Sequence, residues 1–291
     1  MNATPYEGVG YSYDVNSMYA SIMCSLLNLP YKEGVFMVLT AEDMKKWKTD
    51  KGVYFKYGIY RCKIEGDINP VLFKSNPEDA YTHIDLALAH HLGYTITLTE
   101  DGKANFLFYE GKTRLSGKAL FKEYIDLLYP IKKKHKGVKV SKPLINILWG
   151  ALSEKRIHIK KYSTLEDSTA LLMEYDEEIE NCVILGEDSK GDTKVKYETV
   201  KRDDMFVSGF GRLMPFITAQ ARSIMAHLIL NNLDDVGSVK RIHTDGFVSS
   251  APLKKTCPNK QDSKMGELVY EGKYEHVVIK NMRKPVGVLV E

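Results

Sequence analysis

The sequence predicts an α+β fold, on three observations. Gly8 to Asp14 carries Val9, Tyr11 and Tyr13 in alternation, the two-residue period of a half-buried strand, and Ser17 to Leu29 then places Met18, Ile22, Leu26 and Leu29 at helical spacing. Far along the chain, Val239 to His243 and Phe247 to Ser249 are short strand-like runs around Thr244-Asp245-Gly246, a hairpin signal. Before them, Pro215 to Leu233 is an amphipathic helix carrying Phe216, Ala219, Ile224, Leu228 and Leu230.

Composition bounds the alternatives. The chain has 291 residues, 44% of them hydrophobic, with 21 glycines and 10 prolines, which excludes low-complexity, collagen-like and disordered classes. A chain this long buries roughly 75% of its unfolded surface, as one large domain or two small ones. No stretch approaches the ~20 consecutive apolar residues that cross a bilayer, and Met1 to Gly10 lacks a basic segment followed by an apolar one. The expectation is an intracellular protein in the cytoplasm of a host cell, without a membrane partner. Cys24, Cys62, Cys182 and Cys257 form no CxxC pair and read as structural thiols, not as a zinc site or a disulfide framework.

The net charge of +3 hides an asymmetry. Between Lys112 and Lys161, fourteen Lys or Arg face Glu123, Asp126 and Glu154, a local charge of +11 that leaves −8 for the rest. From Tyr162 to Met205 the balance reverses, with thirteen acids against five bases. A concentrated basic segment suggests a polyanion partner; a solvated helix face is the competing reading.

The remaining elements follow in order. Residues 34 to 73 read as β-rich, interrupted by Gly52, Gly58 and Gly66. His83 to His91 reads as a short helix stopped by Gly93, and Tyr94 to Thr99, Asp101-Gly102 and Ala104 to Tyr109 read as a hairpin. Ser116 can cap a helix through Phe121, Tyr124, Ile125 and Leu128 toward Lys134, kinked or divided at Pro130. A second helix starts after Ser141 with Pro143 in its first turn, completing a basic helical hairpin. The acidic stretch 166 to 204 reads as mixed strands and loops, and Leu268 to Tyr270 with His276 to Ile279 as a strand pair.

Two places carry candidate chemistry. Asp14 stands where an apolar strand turns into a helix, followed by Val15-Asn16-Ser17-Met18-Tyr19. It reads either as a helix cap or as one of two carboxylates, the other being Asp245 at the tip of the remote hairpin. Two carboxylates at adjacent strand ends can hold paired divalent ions, and Mg²⁺ takes few carboxylates plus substrate phosphates in phosphoryl transfer. On the helix after Ser141, Lys142, Asn146 and Trp149 share one face at i, i+4 and i+7, with Ile145, Leu148 and Leu152 opposite. A cation and a flat ring on one stripe suit a triphosphate and a base; ordinary surface and packing is the competing reading.

In order, Asp14 to Tyr19, then Lys142 with Asn146, Trp149 and Gly150, then His243-Thr244-Asp245-Gly246 resemble the A, B and C motifs of family B DNA polymerases. The greatest likeness is to the protein-primed branch of phages, viruses and linear plasmids. Thr218-Ala219-Gln220-Ala221-Arg222 resembles that branch's template-contacting helix, and the segment 83–109 is similar to the family's segment between motifs A and B. The likeness covers nearly the whole chain.

The resemblance implies a palm, an antiparallel sheet backed by helices, with a helical fingers hairpin. Residues 1–111 would be the N-terminal palm with an inserted α/β segment and 112–161 the basic fingers. An acidic insertion would follow at 162–208, then the C-terminal palm with a rudimentary thumb connection at 209–291. The implied activity is DNA-directed DNA polymerisation with dNTPs, a template and a primer, for replication of a viral or mobile element, using two Mg²⁺ or Mn²⁺ ions. Asp14, Asp245 and the Val15 carbonyl would bind these ions, and Tyr19 would lie beneath the incoming sugar and exclude a 2′-hydroxyl. Ser17, Lys132, Lys133, Lys142, Asn146 and Trp149 would contact the nucleotide; Thr218, Arg222 and Lys284 would contact DNA.

Several positions depart from the family pattern. His243 replaces the first acid of the usual Asp-Thr-Asp-Ser, either tuning the site or packing in the sheet. Trp149 replaces a Tyr, Ala20 a Pro, and Lys284-Pro285-Val286 stands where Lys-x-Tyr is usual. Thirteen residues precede Asp14 and seven follow Lys284, so the exonuclease domain and most of the thumb are expected to be absent. A terminal protein or a separate chain bearing the exonuclease or thumb is then an expected partner. The competing readings are a noncatalytic nucleic-acid-binding subunit, one chain of a split polymerase, or another palm nucleotidyltransferase such as a primase or reverse transcriptase; Tyr19 argues against ribonucleotide use.

Overall fold

A computed structural model describes residues 2–46, 48–49, 52–134, 141–162, 177–187, 189–201, 204–259, 262–281 and 285–290. In chain order, β1 (Asn2–Ala3) and β2 (Tyr6–Val15) lead to helix α1 (Met18–Met23), β3 (Asn28–Pro30), β4 (Val35–Met37) and α2 (Ala41–Lys45). Then come β5 (Lys48–Thr49), β6 (Gly52–Val53), β7 (Gly58–Glu65), β8 (Ala80–Thr82), α3 (His83–His91), β9 (Thr95–Leu98), β10 (Phe106–Phe108), β11 (Arg114–Ser116) and α4 (Gly117–Lys134). After α5 (Ser141–Ala151) follow β12 (His158–Tyr162), β13 (Glu177–Glu187), β14 (Thr193–Lys201) and α6 (Met214–Asn232). The chain ends on β15 (Val239–His243), β16 (Gly246–Ser249), β17 (Leu268–Ile279) and β18 (Val286–Val290). Two compact units result, Met1–Asn146 with Pro215–Glu291, and Ile147–Met214.

The first unit is built on a six-stranded antiparallel sheet in the order β1-β15-β16-β2-β17-β18. Alternation along β2 puts Tyr13 and Val15 on one face, where both are buried and Tyr13 stacks on Phe247 with ring centroids 5.2 Å apart. The opposite face is closed at its far end by Val248, Tyr274, Val277 and Ile279. Gly10 makes that packing possible: a Cβ there would lie 2.9 Å from Val277 and 3.1 Å from Val248. Where a strand pair is expected near 268–279, β17 is one strand of 12 residues, because the long β2 pairs along its length and register shifts after Tyr270 and Tyr274 absorb the extra residues.

Helix α1 ends six residues short of the expected Leu29. The Ser25 hydroxyl donates to the Ile22 carbonyl and accepts from the Leu27 N–H, and Asn28–Pro30 pairs with β11. Leu26, taken as apolar helix face, is 79% exposed. A smaller sheet, β4-β10-β7-β8, replaces the expected hairpin of residues 94–109: β9 and β10 both pair with β7 instead of each other. The buried Asn105 side chain holds the intervening loop, donating to the Leu39 and Thr99 carbonyls and accepting from the Leu39 N–H. Helix α2, inside the segment read as β-rich, starts on a capping box between Thr40 and Asp43. Helix α4 is capped by Ser116, whose hydroxyl accepts from the Ala119 N–H, and runs undivided through Pro130.

Helix α6 supplies much of the buried apolar surface through Phe216, Ile217, Ala219 and Ile229. The stretch Gly211–Asn232 is long and apolar enough to cross a membrane by length and composition, although Arg212, Gln220, Arg222 and His227 interrupt its apolar run. Half of its most apolar 18-residue window is buried inside the fold, as in a core helix. In the second unit, β12-β14-β13 form an antiparallel sheet with Val195 and Tyr197 at its core. All four cysteines are free; Cys62 is buried, but Cys182 on β13 is exposed, so the structural reading fails for it.

Candidate active site

The strand-to-helix corner after Asp14 decides between its two readings. The cap residue of α1 is Ser17, in the left-handed region at φ 53°, and Asp14 lies three residues earlier within β2. Asp14 therefore does not cap the helix. The corner is held by Asn16, a buried amide that sequence reasoning passed over. Its Nδ2 donates to the Ser263 hydroxyl at 2.9 Å, the Lys264 carbonyl at 3.3 Å and the Tyr129 hydroxyl at 3.4 Å. Its backbone carbonyl accepts from the Gly266 N–H at 2.7 Å, and its Oδ1 from the Ser17 hydroxyl at 3.1 Å. An Asn at such a corner reads in sequence as a turn residue; only the three segments meeting on it reveal the larger role.

The hairpin tip meets this corner. Thr244, left-handed at φ 59°, turns β15 into β16, and Gly246 then pairs opposite Asp14. The Val15 N–H donates to the Asp245 carbonyl at 2.8 Å. A Cβ at position 246 would lie 2.9 Å from the Tyr13 carbonyl oxygen and 3.4 Å from Asp14 Oδ1. The lack of a Cβ at Gly246 thus lets the tip approach β2 this closely. Asp14, Val15 and Asp245 are brought to adjacent strand ends.

Electrostatics extend the group. Burial raises the Tyr19 phenol, the Asp245 charge raises it further, and the Arg222 charge lowers it. Arg222 is itself ion-paired, with Nη2 2.7 Å from Asp85 Oδ1. Thr218, one turn earlier on α6, donates its hydroxyl to the Pro215 carbonyl at 3.2 Å. Among the described residues no cluster of three or more His, Cys, Asp or Glu could hold a metal ion. Two carboxylates with a backbone carbonyl nevertheless form an all-oxygen donor set, the chemistry that suits Mg²⁺ sharing substrate phosphates.

The other expected site residues are distributed along the chain. Lys132 and Lys133 fall on α4, and Lys142 and Asn146 on α5, with their side chains outside the described residues. Trp149 is half-buried on α5 in the second unit, and Ile145 and Leu152 are buried as expected. Lys284 lies outside the described residues. His243 is exposed at the end of β15, 3.3 Å from the Thr244 hydroxyl, so it does not pack in the sheet. At an antiparallel strand end, the next residue is already the turn.

Comparison with known proteins places this architecture. No curated protein sequence matches significantly. Phi29 DNA polymerase complexed with primer-template DNA and incoming nucleotide substrates aligns at 17% identity with a TM-score of 0.59, covering 99% of this chain and 49% of that one. An orthorhombic crystal form of phi29 DNA polymerase aligns at 16% identity with a TM-score of 0.56, covering 99% and 48%. The chain thus shares their fold and spans about half their length. The family described as DNA polymerase type B, organellar and viral, matches residues 1–229. The chain belongs to the organellar and viral family of type B DNA polymerases.

Proposed function

We propose that this chain is the core of a template-directed DNA polymerase that adds dNTPs to a 3′ hydroxyl or, at a protein-primed start, to a protein hydroxyl. The closure of the Asp245 hairpin tip on the Asp14 strand end carries the reading. Asp14, Asp245 and the Val15 carbonyl would hold two Mg²⁺ or Mn²⁺ ions. Such ions stabilise the attacking and leaving oxygens of phosphoryl transfer. The chain's own groups position and neutralise the reactants. Tyr19 would lie under the sugar and exclude a 2′-hydroxyl. Lys142 would neutralise triphosphate charge, Lys132 or Lys133 would add a phosphate contact, Ser17 would contact the nucleotide, and Asn146 and Trp149 would border it. Thr218 and Arg222 would contact the template backbone, and Lys284 the primer.

His243 in place of the first motif acid favours one second reading, a noncatalytic nucleic-acid-binding subunit or an inactive half of a split polymerase. Primer extension with dNTPs and with rNTPs, in Mg²⁺ and in Mn²⁺, separates the two. Metal-dependent dNTP incorporation that is lost in Asp14→Asn and Asp245→Asn supports the polymerase. DNA binding without incorporation supports the second reading.

A further inference from the structure

We propose that Asp85 is a positioning residue that fixes the orientation of the Arg222 guanidinium, making helix α3 a support of the template-contacting face of helix α6. The inference rests on the reading above, in which Arg222 contacts the template. Asp85 is 4% exposed and uses its two oxygens for different tasks. Oδ2 accepts from the Thr82 N–H at 3.0 Å and the Thr82 hydroxyl at 2.8 Å, closing the capping box of α3. Oδ1 accepts from Arg222 Nε at 3.2 Å and Nη2 at 2.7 Å.

Helix α2 carries the same Thr-x-x-Asp box as an internal control. There the second oxygen of Asp43 meets, among the described residues, the exposed Lys46 three residues along. At α3 the second oxygen reaches instead to α6, a residue 137 positions away. Capping needs one oxygen; the other is directed at Arg222. Arginine held along its Nε edge keeps a fixed orientation, and charge-assisted bonds to a buried carboxylate resist rotation. Arg222 is 37% exposed, so the anchored group still meets solvent. Its charge and that of Asp245 act on the Tyr19 phenol with opposite sign.

The test is a double-mutant cycle on the full chain, with Asp85→Asn, Arg222→Gln and the pair. Primer-template Kd is read by fluorescence anisotropy, and kcat and KM by extension. Each single variant should raise Kd and template KM about tenfold, about 1.4 kcal/mol, with kcat changed less than KM. The double variant should be no worse than either single one, and Asp85→Glu should recover part of the loss. Thr82→Ala removes the cap and should lower Tm while leaving Kd within about twofold. Additive effects, or a Thr82→Ala loss of affinity equal to that of Asp85→Asn, overturn the inference while the polymerase reading stands. A wild-type chain that neither binds nor extends primer-template overturns both.

Discussion

The six-stranded sheet of the first unit and the three-stranded sheet of the second are both antiparallel, yet among the described residues the larger exposes large apolar side chains only on its edge strand β18, at Val286, Val288 and Leu289, whereas both edge strands of the smaller do so. In the larger sheet, Tyr13, Val15, Phe247, Val248, Val269 and Val277 are all buried. In the smaller, Val195, Tyr197 and Val200 on the central β14 are buried, but Ile179, Val183, Ile184 and Leu185 on β13 and Ile159 on β12 are exposed. A strand enclosed by neighbours and covered on a face fixes its side chains; one at an uncovered edge does not. Asp14 and Asp245 stand at the ends of paired strands of the larger sheet, the more firmly held setting that pre-organised chemistry requires of the proposed carboxylate pair.

The contrast can be broken at several points. The largest effect should come from the strand ends themselves: Asp14→Asn or Asp245→Asn should reduce incorporation about a thousandfold or more. Circular dichroism should show the fold retained; substantial residual turnover would remove both carboxylates from the chemistry. Next, Phe247→Ala should cost about 3–5 kcal/mol of stability, against about 0.5 kcal/mol or less for Ile184→Ala on β13. Denaturant titration of the two variants compares them directly, and equal losses would contradict the burial difference.

A pH dependence sharpens the same comparison. Burial beside the Tyr57 and Phe216 rings lowers His83 to about 4, while the unfolded imidazole keeps its ordinary value near 6.5. The unfolded chain therefore takes up a proton first as pH falls. Stability is complete above about 6.5, declines through that window, and is lower by roughly 3 kcal/mol below about 4. A His83→Phe variant should flatten this part of a Tm-against-pH curve relative to wild type; parallel curves would refute it. The mildest probe is thiol labelling. Burial pushes the Cys62 thiol up to about 12, whereas Cys182 is exposed, so maleimide should modify Cys182 in the native protein and Cys62 only after unfolding.

Local signals in the sequence reached most elements. Helix α3 stopped by Gly93, helix α4 capped by Ser116, the long α6 and the hairpin around Asp245 all follow from local signals: periodicity, a glycine stop, a serine cap and the Asp-Gly turn. What misled were segments whose partner is remote. Residues 94–109 carry a good hairpin signal, yet a third strand, β7, takes both halves. Leu26 and Leu29 fit a helical period, yet Ser25 ends the helix and Leu29 is buried in a strand. Asp85 and Asn16 carried no sequence signal, because a capping acid and a turn amide look the same whether or not a second partner waits elsewhere.

The order and spacing of Asp14, Lys142, Asn146, Trp149 and Asp245 are properties of the sequence by itself, and so is the family likeness they carry. Only the tertiary structure decided that Asp14 is a strand residue and not a cap, that Gly246 on β16 pairs opposite it, and that Arg222 is tethered to Asp85. The physical reason is one of range. Helical periods, caps and turns are settled within a few residues, whereas strand register and ion pairing between distant elements depend on which surfaces are buried together.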